Sequence, residues 1–262
     1  MDSPPLIEPV LPFIESTKLL LAQNINVPKI HHQNIELGCL VLDDFGNRDY
    51  LSVLNIDNAD RYYQQAIDQL IKLQQSKDPA NIANFDEQHI RKELALFTDW
   101  YLTKHCQINS FDLQNTFNIL IENCLAQPQV LIHRDFHSRN LMVVNDSNPG
   151  ILDHQDLMLG PLSYDLVSLV KDCYIDWPEH KIGQWLDYYL TNSHYCPKDF
   201  YHAFELTGMQ RHLKAIGIFA RLAHLYDNPN YLKYIPRVLK YLQDVTDNNS
   251  KFNDLALVLK KL

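Results

Sequence analysis

Glycine is scarce in this chain. There are seven in 262 residues, where average usage of about 7% would place more than twice as many. None of Gly38, Gly46, Gly150, Gly160, Gly183, Gly208 and Gly217 falls into G-x-G-x-x-G or G-x-x-x-x-G-K spacing, so a dinucleotide fingerprint and a Walker phosphate loop are both unsupported. The five cysteines (Cys39, Cys106, Cys124, Cys173, Cys196) are odd in number and form no C-x-x-C. That argues against structural zinc and a disulfide framework, and fits reduced thiols in a cytoplasmic protein. Positive charge is short as well: 23 Lys and Arg stand against 32 Asp and Glu, a net charge of −9. A nucleic-acid partner, which needs clustered cations, is not expected. No apolar run approaches the ~20 residues of a membrane span. Residues 1–30 hold no basic stretch ahead of an apolar run, so neither a membrane partner nor a signal peptide is expected.

What is present is ordinary for a folded globular chain, 46% hydrophobic and 21% charged. The length allows one large domain or two small ones, and oligomeric state is not legible. An amphipathic helix is predicted over Pro9–Asn24, with Phe13, Leu20 and Leu21 among its apolar positions. The run from Glu36 to Gly46 reads as a buried strand. Helical periodicity follows over Asn58–Leu73, Asp86–His105 and Asp112–Ala126. Three short apolar runs, Val130–Ile132, Leu141–Val144 and Gly150–Leu152, read as strands joined by turns. From Tyr164 onward helices return, with starts favoured near Pro178, Pro197, Pro229 and Pro236. The fold class is α+β and mostly helical, with a boundary near Ile56.

The chemistry concentrates between the short strands, in His133-Arg-Asp-Phe-His-Ser-Arg-Asn140 and Asp153-His-Gln-Asp156. Asp135 and Asn140 have the spacing D-x-x-x-x-N, with His133 two residues ahead of the Asp. In phosphoryl transfer this is the loop whose Asp accepts the substrate hydroxyl proton and whose Asn holds Mg²⁺. The next strand ends in Asp153, where that plan places its second metal-binding residue. Turn chemistry alone, with Asx side chains closing turns, explains any one of these residues but not their order across two strands. A metal hydrolase is a rival reading: His133, Asp135, His137, Asp153, His154 and Asp156 offer mixed nitrogen and oxygen ligands. It lacks a helical pattern under His133 and His137, and no Glu stands where H-E-x-x-H needs one.

These segments, with Gly160-Pro-Leu-Ser-Tyr-Asp-Leu166, Leu42-Asp-Asp-Phe-Gly46 and the block Gly208–Arg221, resemble the aminoglycoside-phosphotransferase-like family of small-molecule kinases. Within it the match is to bacterial kinases of the anomeric hydroxyl of N-acetylmuramate and N-acetylglucosamine, enzymes of cell-wall recycling. The resemblance implies a protein-kinase-like fold with ATP and Mg²⁺ as cofactors and a small-molecule sugar as substrate. Carried over, Asp135 is the catalytic base and Asn140 and Asp153 are the metal ligands. His133 and Asp165 support the catalytic loop, and Asp156 belongs to the metal or the sugar. Backbone groups of Leu42, Asp43 and Asp44 would meet adenine at a hinge. Arg211, in the basic stretch Gln210-Arg-His-Leu-Lys214, would face the substrate. The implied domains are residues 1–56, a partial N-terminal lobe and hinge, and residues 57–262, the helical C-terminal lobe. The resemblance sets Met1-Asp-Ser-Pro-Pro5 at the end of an early strand, with the first strands and a phosphate-covering loop expected ahead of it. No V-A-I-K-like lysine precedes a helix; Lys18 lies inside one, and Glu8 or Glu15 stands where a helix partner for such a cation would. That leaves a kinase-like binding protein lacking phosphate handling as the alternative function. His154 occupies a position where the family has an apolar aromatic residue, and is expected to be a satisfied buried histidine. The 14 tyrosines and three tryptophans include faces suited to sugar stacking, but Trp100, Tyr101 and Trp185 are expected in the core.

Overall fold

The computed structural model describes residues 10–76, 82–144, 148–193, 195 and 198–262. Expectations attached to Met1–Pro5, Glu8, Pro9, Cys196 and Pro197 lie outside the described residues. In chain order the elements are α1 (Leu11–Ala22), β1 (Ile30–Asn34), β2 (Cys39–Leu42), α2 (Tyr50–Val53), α3 (Ala59–Gln74), α4 (Glu87–Leu96), a π-helical segment (Phe97–His105), α5 (Gln114–Ala126), β3 (Gln129–Ile132), β4 (Leu141–Val144), β5 (Asn148–Ile151), β6 (Met158–Pro161), α6 (Tyr164–Val170), α7 (Glu179–Asn192), α8 (Phe200–Leu225), a 3₁₀ segment (Pro229–Tyr234), α9 (Ile235–Asp247) and α10 (Asn253–Leu259). Contacts gather them into two compact units, Met1–Asn84 with Val130–Cys196, and Phe85–Gln129 with Pro197–Leu262.

In the first unit, α1 lays Phe13 and Ile14 with Val10 onto Leu40, flanked by Ile30 and Leu42. The strand expected to be buried from Glu36 to Gly46 is corrected here. It is the four-residue β2, paired antiparallel with β1 in a two-stranded hairpin. With one face on α1 and the other open, Leu40 is buried while Val41 is 55% exposed. The sequence Ile-His-His-Gln-Asn of β1 carries no strand pattern of its own; pairing with β2 makes it a strand. Helix α3 packs on α7 through aromatic stacking: Tyr63 lies parallel to Trp185, centroids 3.8 Å apart. Asp60 accepts hydrogen bonds from Lys181 Nζ at 2.6 Å and Trp185 Nε1 at 3.0 Å. The Lys181 contact leads in holding its carboxyl below the usual range. Trp185 is thus a core residue, as expected.

The expected strands β3, β4 and β5 are present, β4 and β5 antiparallel in register Leu141↔Ile151 and Met142↔Gly150. A fourth strand, β6, pairs with β3; its Gly160-Pro161 hides it from a strand pattern, since both residues read as turn punctuation. Gly150 is required for packing, because a Cβ there would collide with the Phe45 ring and with Val144.

The second unit is helical. Asp86 caps α4 by accepting from His89 N at 3.0 Å. The single α-helix expected over Asp86–His105 is corrected to α4 followed by the π-helical segment. The change falls at Leu96, whose backbone a Cβ at Gly217 of α8 would strike. Glu93 and Lys214 form a buried ion pair at 2.9 Å, with Gln210 Nε2 donating to the same carboxylate. Pro178 opens α7 and Pro236 stands in the first turn of α9, whereas Pro229 opens the 3₁₀ segment. Cys39, Cys106, Cys124 and Cys173 are free thiols. Among the described residues no helix is long and apolar enough to cross a membrane.

Candidate active site

The residues singled out between the short strands converge on one rim of the first unit. After β3 the chain turns through Arg134, whose φ is +78°, a conformation that costs an L-residue about 1–3 kcal/mol and persists where its surroundings impose it. They do so through Asp165. This carboxylate, 0% exposed in the first turn of α6, accepts from His133 N at 2.6 Å and from Arg134 N at 2.9 Å. The loop beyond is pinned by Asp172, also buried, which accepts from Ser138 N at 2.9 Å and Tyr174 N at 2.8 Å. Leu51 N at the start of α2 donates to the Ser138 carbonyl at 3.1 Å. Phe136 between them is fully buried. A buried apolar anchor and two buried carboxylates thus fix the backbone and leave Asp135 half-buried at the surface.

Asp135 N donates to His133 Nδ1 at 3.3 Å, and Nε2 of the same buried ring has no hydrogen-bond partner. Asn140 Nδ2 donates to the Asp135 carbonyl at 3.0 Å and lies 3.5 Å from Asp153 Oδ2. Asp153 follows β5 in a second left-handed turn, φ +62°, and its Oδ1 accepts from Gln155 Nε2 at 2.9 Å. The two loops are tied by Leu152 N donating to the Asn140 carbonyl at 2.9 Å. Asp135, Asn140 and Asp153 therefore stand together. With Nδ2 of Asn140 committed to the loop, its Oδ1 and the Asp153 carboxylate are the atoms left for a ligand. Two hard oxygens on an exposed rim suit Mg²⁺, which takes a carboxylate and completes its shell with phosphate oxygens and water; the residues present fit that ion. Among the described residues no three His, Cys, Asp or Glu gather to hold a metal, so the hydrolase reading gains no support.

The remaining expected residues are placed as follows. Asp156 is exposed, 3.9 Å from Arg134 Nη1. Leu42 ends β2, and Asp43 N is already donated to the Lys29 carbonyl at 3.0 Å. The Asp43 carboxylate accepts from His31 Nε2 at 2.6 Å and from Lys29 N at 3.1 Å, which hold it below its ordinary range, His31 first. Asp44 accepts from Gly46 N at 2.7 Å in a turn. Arg211 belongs to the second unit, half-buried on α8 between the buried Gln210 and His212. Glu15 and Lys18 are exposed on α1. His154 is fully buried, its Nε2 2.7 Å from Thr17 Oγ1. Burial first, and His133 second, push its pKa down to about 3. It is buried as expected but only half satisfied: Nε2 has Thr17 as its partner, while Nδ1 is buried without one.

Sequence reading missed Asp172 and Thr17. Asp172 carried a usable signal, a charge closing the apolar run Leu166–Val170, which a buried segment tolerates only with partners. Thr17 carried little beyond being a hydroxyl inside an apolar helix.

A model of the phosphotransferase enzyme family matches residues 2–201. An N-acetylmuramate/N-acetylglucosamine kinase of Pseudomonas putida is 38% identical over 274 aligned residues, covering 100% of this chain and 80% of that protein. The same-named kinase of Neisseria meningitidis is 34% identical, covering 100% and 82%. Among solved structures, a choline kinase of Streptococcus pneumoniae superposes with a TM-score of 0.64 at 14% identity, over 89% of this chain and 80% of that one. The GDP complex of aminoglycoside 2'-phosphotransferase-IIIa gives 0.61 at 16%, over 91% and 81%. These structures share the protein-kinase-like fold.

Proposed function

The chain belongs to the phosphotransferase enzyme family, and we propose that it transfers the γ-phosphoryl group of ATP to the anomeric hydroxyl of an N-acetylated amino sugar, N-acetylmuramate or N-acetylglucosamine. The observation that carries this reading is the identity of 34–38% along the whole chain to kinases named for those two sugars. The grouping of Asp135, Asn140 and Asp153 supports it.

In this reading Asp135 accepts the proton of the sugar hydroxyl as its oxygen attacks the γ-phosphorus in line. The new O–P bond forms, the bond to the β-phosphate oxygen breaks, and ADP leaves with that electron pair. Asn140 Oδ1 and the Asp153 carboxylate would hold Mg²⁺, which would supply neutralisation of charge on the phosphates. His133 and Asp165 orient Asp135 through the loop backbone. Leu42, Asp43 and Asp44 lie at the adenine hinge, with the Asp43 N–H kept for the hairpin. Asp156 is assigned to the metal or the sugar and Arg211 to the sugar, and residues 1–56 and 57–262 to the two lobes. A cytoplasmic enzyme acting on sugars released from the cell wall agrees with five widely spaced cysteines and a net charge of −9.

The test is phosphoryl transfer from Mg-ATP to N-acetylmuramate, N-acetylglucosamine and an aminoglycoside side by side, with phosphorus–proton coupling locating the phosphate. Products coupled to the anomeric proton of the amino sugars are expected. Transfer to the aminoglycoside alone, or an ATP-independent cleavage, overturns the proposal.

A further inference from the structure

His154 stands next to the metal rim, and its side chain turns wholly inward. Its ring is 0% exposed and lies 4.5 Å, centroid to centroid, from the Phe13 ring of α1. Its Nε2 is 2.7 Å from Thr17 Oγ1, across 137 residues of sequence. Thr17 Oγ1 in turn donates to the Phe13 carbonyl at 2.8 Å, so the hydroxyl links the His154 ring to the backbone of α1. Thr17 is 1% exposed and Phe13 6%; water does not compete for these contacts, and an unmade bond here leaves a buried imidazole nitrogen without a partner.

Asp153, immediately before it, sits in the left-handed region at φ +62°. An Asp reaches this conformation only at a cost, and keeps it where the surroundings over-determine it. On one side the brace is Leu152 N–H on the Asn140 carbonyl. On the other it is the His154 ring, fixed by Thr17 and Phe13.

From this geometry we infer that Thr17 is a positioning residue for the rim: through His154 it holds the backbone of Asp153 in the turn that presents its carboxylate beside Asn140. Helix α1 and the metal loop are thereby one mechanical unit joined by a specific polar contact. A residue without a hydrogen-bonding nitrogen at this position would replace the contact by packing alone and would not need a hydroxyl on α1. The inference rests on the phosphotransferase reading only for the identity of the ion.

A double-mutant cycle tests it, using Thr17→Val, Thr17→Ser, His154→Phe and the double variant of Thr17→Val with His154→Phe. The first readout is backbone hydrogen exchange at Leu152 and Asp153 without nucleotide. The second is Mn²⁺ binding in the presence of ADP, followed by the spin-resonance signal of free Mn²⁺. Loss of one buried hydrogen bond predicts about tenfold faster exchange and about tenfold weaker Mn²⁺ binding for Thr17→Val in the parent chain. When His154→Phe is already present, the same change is expected to move both readouts less than about twofold. Thr17→Ser, which keeps the hydroxyl, stays with the parent. Equal effects of Thr17→Val in both backgrounds, or unchanged exchange at Leu152 and Asp153, overturn the inference. If the parent binds no Mn²⁺ with ADP, the phosphotransferase reading fails while the exchange data still decide the positioning role.

Discussion

Two left-handed turns carry this site, and they are braced in different ways. Arg134, just ahead of Asp135, is held by a buried carboxylate: Asp165 takes two adjacent backbone N–H groups at 2.6 and 2.9 Å. Asp153 is held by neutral groups, the Asn140 carbonyl on one side and the imidazole fixed by Thr17 on the other. Charge-assisted hydrogen bonds are shorter and roughly twice as strong as neutral ones. The first brace is therefore the stiffer. It belongs to the loop of the proposed base, while the second belongs to a proposed ligand of a nucleotide-borne ion. A fixed base beside a more compliant metal loop is the division of labour this difference suggests.

The comparison is broken most severely by Asp165→Ala. Two buried N–H groups lose their acceptor, and unfolding in denaturant is expected to show a loss of about 3–5 kcal/mol. Asp165→Asn sharpens the point, since its amide accepts on one side only and sets a donor against the second N–H. Recovery of full stability in that variant would remove the charge from the argument.

The neutral brace has a pH signature. With His154 at about 3 in the folded state and about 6.5 unfolded, the unfolded chain binds the extra proton between those values. Stability is then complete above pH ~6.5 and falls as pH is lowered toward 3, by at most about 1.4 kcal/mol per pH unit from this one group. His154→Phe should remove that component from the stability–pH curve. A curve of unchanged slope would mean that the ring is not held neutral. At a fixed neutral pH, Thr17→Val is expected to cost about 1–2 kcal/mol, readable as a lower melting temperature. The smallest effect lies away from both braces. Lys181→Ala leaves Asp60 about half-exposed without its cation, for a loss of up to about 1 kcal/mol. Asp60 is held below its ordinary range, so its contribution is present above the usual carboxylate pKa and is lost on acidification.

The two braces also differ in how far they could be read from the chain. Asp135, Asn140 and Asp153 were legible because their spacing is local and follows short strands, and Asp165 lies in the same continuous stretch. Thr17 was not: its partner is 137 residues away, and a hydroxyl in a helix has no pattern that names a distant histidine. The same physics explains the fold. Helices with periodic apolar faces were visible at α1, α3, α4 and α5. Strand β1 takes its conformation from its partner, β6 is written in turn residues, and the π-helical segment begins where Gly217 brings α8 against the backbone of Leu96. Elements imposed by a neighbour leave little trace in their own sequence.

In the proposed mechanism Asp135 performs the proton transfer on a rim assembled by its neighbours. Its most direct test is the rate of N-acetylglucosamine phosphorylation from Mg-ATP by the parent and by Asp135→Ala, with melting curves compared in parallel. A fall of about 10²–10⁴ in kcat is expected, with melting unchanged because the Asp135 side chain is half-exposed. Turnover by Asp135→Ala at the parent rate would contradict the account.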